Sequence, residues 1–276
     1  MIDKYNNFYK GKKVLVTGHT GFKGSWLCIW LYELGAEVIG IGLDPHSERD
    51  NFVLSGIGSK IKADIRADIR DGQRIKQIFA EYQPEIVFHL AAQPLVRLSY
   101  EQPVETYEVN VMGTIHVMEA IRATKSVKVG IMITTDKCYD NKEQMTGYKE
   151  DDPFGGYDPY SSSKGACEIA IQSWRRSFFN PDDYGKKHTV SLASVRAGNV
   201  IGGGDWALDR IIPDCIRALE TTKVINIRSP KAIRPWEHVL EPLFGYMLLA
   251  QKMWDNPTEY CEGWNFGPEA DSVMTV

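Results

Sequence analysis

Short apolar runs recur along the first two thirds of the chain, at Lys13 to Thr17, Glu37 to Gly42, Glu85 to Leu90, Val127 to Thr134 and Thr189 to Val195. Each has the length of a buried strand, and each is separated from the next by a segment whose apolar positions follow helical spacing. Alternation of this kind predicts an α/β fold, a Rossmann-type doubly wound parallel sheet with helices on both faces. One helix announces its own start: Asp158-Pro159 supplies an N-cap and a first-turn proline ahead of the stretch carrying Ala166, Ile169, Ala170 and Trp174. That helix puts Tyr160 and Lys164 one turn apart on one face.

The character changes after Val195, where Gly202-Gly203-Gly204, several prolines and shorter segments appear. Residues 1–195 are therefore expected to form one domain, to which later segments near 237–267 return. Residues 196–276 form a smaller, discontinuous lobe. Ala63-Asp64-Ile65-Arg66 is followed at once by Ala67-Asp68-Ile69-Arg70; the doubling is too short for a structural repeat, and sequence alone offers no physical account of it.

Composition narrows the class of molecule. With 276 residues, 43% of them hydrophobic, the chain can bury one large core, alone or with a lobe attached. Thirty-two basic and 36 acidic residues are intermixed to a net charge of −4, which offers no basic face to nucleic acid or to a membrane. The five cysteines are odd in number and lack the close pairs that metal sites use, so reduced thiols and no metal are expected. No apolar signal segment or membrane span is visible, which makes the expected location the cytoplasm.

The chemistry lies at the ends of the apolar runs. Gly18, Gly21 and Gly24, in Gly18-His19-Thr20-Gly21-Phe22-Lys23-Gly24, follow Val14-Leu15-Val16. Glycines there permit a tight turn, close approach to a pyrophosphate and a helix start whose amides face the phosphates. Asp44 closes the next run, where an acid accepts hydrogen bonds from an adenosine ribose and repels a 2′-phosphate, favouring NAD over NADP. His46 and Arg49 follow closely and would soften that exclusion if the loop folded back over the ribose. Leu90-Ala91-Ala92 ends another strand with small residues, leaving room for a cofactor against the sheet edge.

Tyr160 and Lys164 form the reacting pair, the ammonium expected to favour the phenolate and make it a general base. Lys164 can also hold the nicotinamide ribose. Thr134-Thr135-Asp136-Lys137 follows the run at 129–133, bringing a hydroxyl, a carboxyl and an amine to the carboxyl end of a strand. Asp136 is a candidate general acid. His238 has no second ligand at metal spacing, and packing against Trp236 is the expected explanation for it.

These features, with Asp68-Ile69, Asn110 to Thr114 and Arg196 to Asn199, occur in the order found in the extended short-chain dehydrogenase/reductases, and the chain resembles the nucleotide-sugar 4,6-dehydratases among them. Residues 18–26, 91–97, 136–141, 197–206 and 234–239 are similar to the branch that acts on CDP-linked glucose. The resemblance implies NAD as cofactor, held also by Phe22, Lys23, Asp68 and Ile69. It implies that Tyr160 takes the proton of the sugar 4-hydroxyl while Thr135 bonds the same oxygen, and that Asp136 protonates the departing 6-hydroxyl. Lys137 stands where most of these dehydratases place Glu, which leaves the base at C5 open, although the CDP branch shares the lysine. Asn199, Arg210 and Arg234 match residues that hold the nucleotide diphosphate, and Gln93 and Arg97 lie within reach of sugar or pyrophosphate. A homodimer or dimer of dimers, paired through helices at 104–123 and 158–178, is implied, and so is further C-terminal structure in relatives. A 4-epimerase or simple reductase uses the same tyrosine, lysine and NAD without needing an acid after Thr135. A silent dinucleotide sensor needs neither the tyrosine nor the lysine.

Overall fold

The computed structural model describes residues 5, 7–142, 146–225, 227, 229–269 and 273–276. The strands β1 (Lys13–Thr17), β2 (Glu37–Gly42), β3 (Ala63–Arg66), β4 (Ile86–His89), β5 (Val129–Ile133) and β6 (Ser191–Ala197) alternate with the helices α1 (Phe22–Glu33), α2 (Asn51–Ser55), α3 (Gly72–Tyr82), α4 (Val96–Glu101), α5 (Pro103–Tyr107), α6 (Gly113–Ala123) and α7 (Pro159–Ser177). Then come β7 (Asn199–Ile201), α8 (Ile211–Glu220), β8 (Ile233–His238), α9 (Leu240–Asp255), β9 (Gly263–Phe266) and β10 (Val273–Thr275). The large sheet has the order β3-β2-β1-β4-β5-β6-β9, and every neighbouring pair in it is parallel. A second sheet, β10-β8-β7, stands apart from it. Strand order reverses between β1 and β4, which opens a crevice at their carboxyl ends.

All five expected strands are present, within a few residues of their expected bounds. Two strands of the large sheet carried no apolar run. In β3, Ala63 and Ile65 pack toward the core while Asp64 and Arg66 point away, as suits an edge strand. β9 extends the sheet beside β6, with Trp264 opposite Val195. Buried residues of α1 and α9, among them Leu27, Leu31, Leu243 and Met247, cover one face of the sheet. Ile75 and Phe79 of α3, Val117 and Ile121 of α6, and Cys167 and Ile171 of α7 cover the other. The chain before β1 docks on the first of these layers: the buried Tyr5 and Tyr9 donate to the main-chain carbonyls of Phe244 (3.2 Å) and Met247 (2.6 Å).

α7 begins as its sequence announces, with Asp158 accepting from the amide of Ser161 at 2.9 Å and Pro159 in the first turn. The stretch from α5 to α6 is one continuous rod interrupted by a π-helical turn at Glu108–Met112. That turn frees Asn110 to reach sideways, where its side chain bonds the backbone of Gln93 (2.8 and 3.1 Å) and the hydroxyl of Ser163 (2.9 Å).

The deepest polar contact joins α7 to the sheet. Glu168 and Arg196, 2% and 3% exposed, form a two-pronged ion pair with both distances 2.9 Å. Glu168 also accepts from the hydroxyls of Thr134 and Ser194, and Arg196 donates to the Tyr139 hydroxyl. Removing one partner of such a pair strands the other charge away from water. Glu168→Ala should therefore lower the unfolding free energy by roughly 3–5 kcal/mol in urea titration; a loss below about 1 kcal/mol would mean that the guanidinium finds water or another acceptor.

Candidate active site

The glycine loop joins β1 to α1 at the crevice. Gly18 has φ +73°, and a Cβ on it would stand 2.7 Å from the amide nitrogen of Ala91; one on Gly24 would stand 2.0 Å from the carbonyl oxygen of Gly18. Any side chain at either position thus forces apart the loop, α1 and the end of β4. α1 begins after Gly21 with no side-chain cap, so its first-turn amides can serve an anion. Thr17 and His89 pin the adjoining strand ends: the Thr17 hydroxyl meets Nδ1 of His89 at 2.7 Å and accepts from the amide of Ala91 at 3.1 Å, while Nε2 of His89 meets the Thr114 hydroxyl at 3.0 Å. Burial, with Lys164 nearby, pushes the imidazole down to about 3, so it is neutral. Leu90, Ala91 and Ala92 lie half-buried beside the loop.

At the outer end of the crevice the tetrapeptide doubling acquires a meaning. Its first copy is β3, whose outward residues make a charge chain: Arg66 donates through Nε to Asp44 at 2.9 Å and through its other nitrogens to Asp64, which in turn meets Nε2 of the buried His19 at 2.6 Å. The second copy leaves the sheet, with Asp68 bound to Arg70 and Ile69 buried in the core. The same four letters act first as strand and then as turn. Arg49 is engaged elsewhere, because its guanidinium forks onto Glu220 (2.6 and 2.8 Å) and stacks 3.5 Å from the Trp206 ring. The cation beside Asp44 is Arg66, which sequence reasoning passed over.

At the inner end, Tyr160 and Lys164 of α7 are both buried, and the end of β5 meets them. The Thr135 hydroxyl donates to Asp136 at 2.9 Å and favours ionisation of the nearby Tyr160 phenol. Lys137 is exposed on the rim, its Nζ 6.0 Å from the centroid of the Tyr160 ring. Phenol, hydroxyl, carboxyl and amine therefore share one strand end. The expected electrostatics need correction: burial dominates and raises the phenol well above its ordinary value, while the Thr135 hydrogen bond and Arg210 work against that rise. Lys164 is itself lowered by burial.

A second group of charges lies behind this cluster; its Lys23 was expected at the cofactor, while its Glu237 was missed by sequence reasoning. Lys23 is half-buried, donates to the Tyr246 hydroxyl at 3.2 Å, and is lowered by burial to about 8 against the opposing pull of Glu237. Glu237, 5% exposed, is raised to about 7 by burial, and among the described residues its Oε1 has no hydrogen-bond partner. It lines a cavity of about 180 Å3 with Glu241, Asn265 and Phe266. Only the β8 pattern, a glutamate among Ile233, Pro235 and Trp236, hinted at this inward carboxyl.

The residues expected at the substrate are arranged less uniformly. Arg210 binds Asp205 at 2.8 Å and acts electrostatically on Tyr160 and Lys23. Asn199 of β7 is paired in register with Trp236 of β8, next to Pro235 and Arg234, and Arg234 donates to its neighbour's carbonyl at 2.8 Å. Arg97 is exposed and paired with Asp209 at 2.8 Å. Gln93 spends its amide on its own loop, bonding the backbone of Leu95 (2.5 and 3.2 Å) and the Thr106 hydroxyl (2.9 Å). His238 is exposed and accepts from the amide of Leu240 at 3.3 Å, capping α9.

Because the folded-state value of Glu237 lies above its ordinary 4.5, the cost of ionising it is absent at low pH and grows as pH rises toward 7. Glu237→Gln escapes that cost. Its stability relative to the parent should rise by on the order of 2 kcal/mol between pH 5 and pH 8 in paired urea titrations; a constant difference would show that the carboxyl stays hydrated.

The family model described as GDP-mannose 4,6 dehydratase matches residues 15–262. The chain is 54% identical over all its 276 residues to CDP-glucose 4,6-dehydratase of Salmonella typhimurium, spanning 76% of that protein. It is 31% identical to GDP-mannose 4,6-dehydratase of Vibrio cholerae, with 90% of this chain and 66% of that protein covered. Among solved structures, DesIV, the dTDP-glucose 4,6-dehydratase of Streptomyces venezuelae with NAD and TYD bound, superposes with a TM-score of 0.78 over 95% of this chain and 77% of that one; at 19% identity the likeness speaks for the fold. The chain belongs to the nucleotide-sugar 4,6-dehydratase family and is a homologue of CDP-glucose 4,6-dehydratase.

Proposed function

We propose that the chain dehydrates CDP-D-glucose to CDP-4-keto-6-deoxy-D-glucose with NAD as a bound cofactor. One observation carries the reading: the end of β5 sets the Thr135 hydroxyl, hydrogen-bonded to the Asp136 carboxyl at 2.9 Å, beside the buried Tyr160 phenol on whose ionisation Thr135 acts, so that a base and an acid address neighbouring atoms of one substrate. An epimerase or reductase has no use for that acid. Solved structures of the same fold, DesIV and, at 25% identity, MoeE5 with UDP-glucose, contain NAD. The loop fits such a group, since Gly18 and Gly24 leave no room for side chains where a pyrophosphate approaches.

Gly18, Gly21, Phe22, Lys23 and Gly24 hold the pyrophosphate, Asp44, Asp68 and Ile69 the adenosine, and Leu90, Ala91, Ala92, Tyr160 and Lys164 the inner half. Bound between these residues, NAD would supply an acceptor for the hydride of sugar C4 and, once reduced, the hydride for C6, and its oxidised nicotinamide ring would favour the Tyr160 phenolate. Tyr160 removes the 4-hydroxyl proton while Thr135 orients that oxygen. Asp136 then protonates the departing 6-hydroxyl. Lys137 takes the C5 proton, for which the bound sugar must strip water from its amine. Arg210, Arg234 and Asn199 clamp the diphosphate, with Arg97 and Gln93 at the margin. Cytidine as the base follows from likeness to the Salmonella protein.

The proposal extends to organisation. Residues 1–195 with segments near 237–267 act as the cofactor domain and 196–276 as the substrate lobe. The protein works in the cytoplasm as a homodimer or dimer of dimers; among the described residues no helix is long and apolar enough to cross a membrane.

Incubation with CDP-, UDP-, dTDP- and GDP-glucose should give the alkali-induced absorbance of a 4-keto-6-deoxy sugar with the CDP-sugar foremost, and no such product from any of them would refute the reading. Asp136→Asn should slow water loss by about 10²-fold or more while single-turnover reduction of the cofactor proceeds nearly unchanged. Equal slowing of both steps would remove the acid from Asp136.

A further inference from the structure

Arg66 is an unusual neighbour for a carboxylate whose work is to bind a ribose diol. Asp44 is 87% exposed at the end of β2, and its charge is met by the Arg66 Nε at 2.9 Å. The guanidinium does not depend on Asp44 for its position. Its Nη1 and Nη2 both bond Asp64, it lies 5.3 Å from the Phe52 ring centroid, and Arg66 itself is paired in register with Gly42, two residues before Asp44. Asp64 is fixed in its turn by the fully buried His19 of the glycine loop. Removing Asp44 would therefore leave a planar, oriented cation in place.

We propose that Arg66 is a preset anion site for the 2′-phosphate of an adenosine dinucleotide, kept closed by Asp44, so that the charge of one exposed carboxylate decides which dinucleotide the protein takes. The inference rests on the cofactor reading above and deepens it. In the usual account the acid at this position excludes the 2′-phosphate by repulsion alone, and its loss merely ends the repulsion. Here the loss also uncovers an attractive partner. A guanidinium whose Nε is vacated can fork onto phosphate oxygens, a stronger contact than a single neutral hydrogen bond. Arg49, the other cation of this loop, is committed to Glu220 and Trp206 and does not compete for the role.

The test uses NADH and NADPH fluorescence to measure binding by the parent, Asp44→Ala, and Asp44→Ala combined with Arg66→Met. Asp44→Ala, which leaves no acceptor for the Arg66 Nε, should bind NADPH at least about tenfold more tightly than the parent does while binding NADH more weakly. The gain should shrink as salt rises. Adding Arg66→Met should abolish the gain. A gain that survives in the double variant overturns the inference, since relief of repulsion then accounts for it, and so does the absence of any gain in a parent that binds NADH. A parent that binds neither dinucleotide sinks the cofactor reading, and this inference with it.

Discussion

The ion pair between Glu168 and Arg196 is the constraint on which the site depends. It joins the middle of α7 to β6, and through Thr134 it reaches the residue just before Thr135 and Asp136. Tyr160 and Lys164 precede Glu168 on the same helix, two turns and one turn away. The distance between phenol and carboxyl is thus set by a contact outside the reaction cavity. Buried pairs of this kind add little net stability over apolar packing, and their value lies in admitting one arrangement. Here they fix the sliding and rotation of α7 over the sheet, the two motions that would separate the reacting groups. Asn110 repeats the device on the other side, tying the π-helical turn to Gln93 and to Ser163 of α7.

The charges inside are balanced as a group. Burial raises the phenol of Tyr160 and the carboxyl of Glu237 and lowers the amines of Lys23 and Lys164. These four groups therefore lean toward their neutral forms until a charged ligand arrives. The low local polarity that discourages charge in the resting site strengthens every charge interaction once substrate and cofactor enter.

Much of this was legible in the sequence because it is local. Apolar runs reported buried strands, Asp158-Pro159 reported a helix start, and the glycines at 18, 21 and 24 reported a turn so tight that a Cβ at 18 or 24 would meet backbone. β3 escaped because an edge strand alternates, and Asp64 and Arg66 had no account until their partners 45 and 22 residues away were placed. The pairing of Lys23 with Tyr246 spans 223 residues, and no local pattern could announce it. The same holds for the dominance of burial over Lys164 at Tyr160, since spacing on a helix reveals a neighbour but not how much water remains around it.

The two tyrosines ahead of β1 bear on how the molecule is made. The carbonyl that Tyr9 needs belongs to Met247, 238 positions further along the chain. A ribosome adding about 5–20 residues per second leaves that tyrosine without its partner for some tens of seconds. Residues made ahead of β1 are in this way locked down only after α9 has been made, and the aromatic faces they will bury stay open to chaperones throughout the interval.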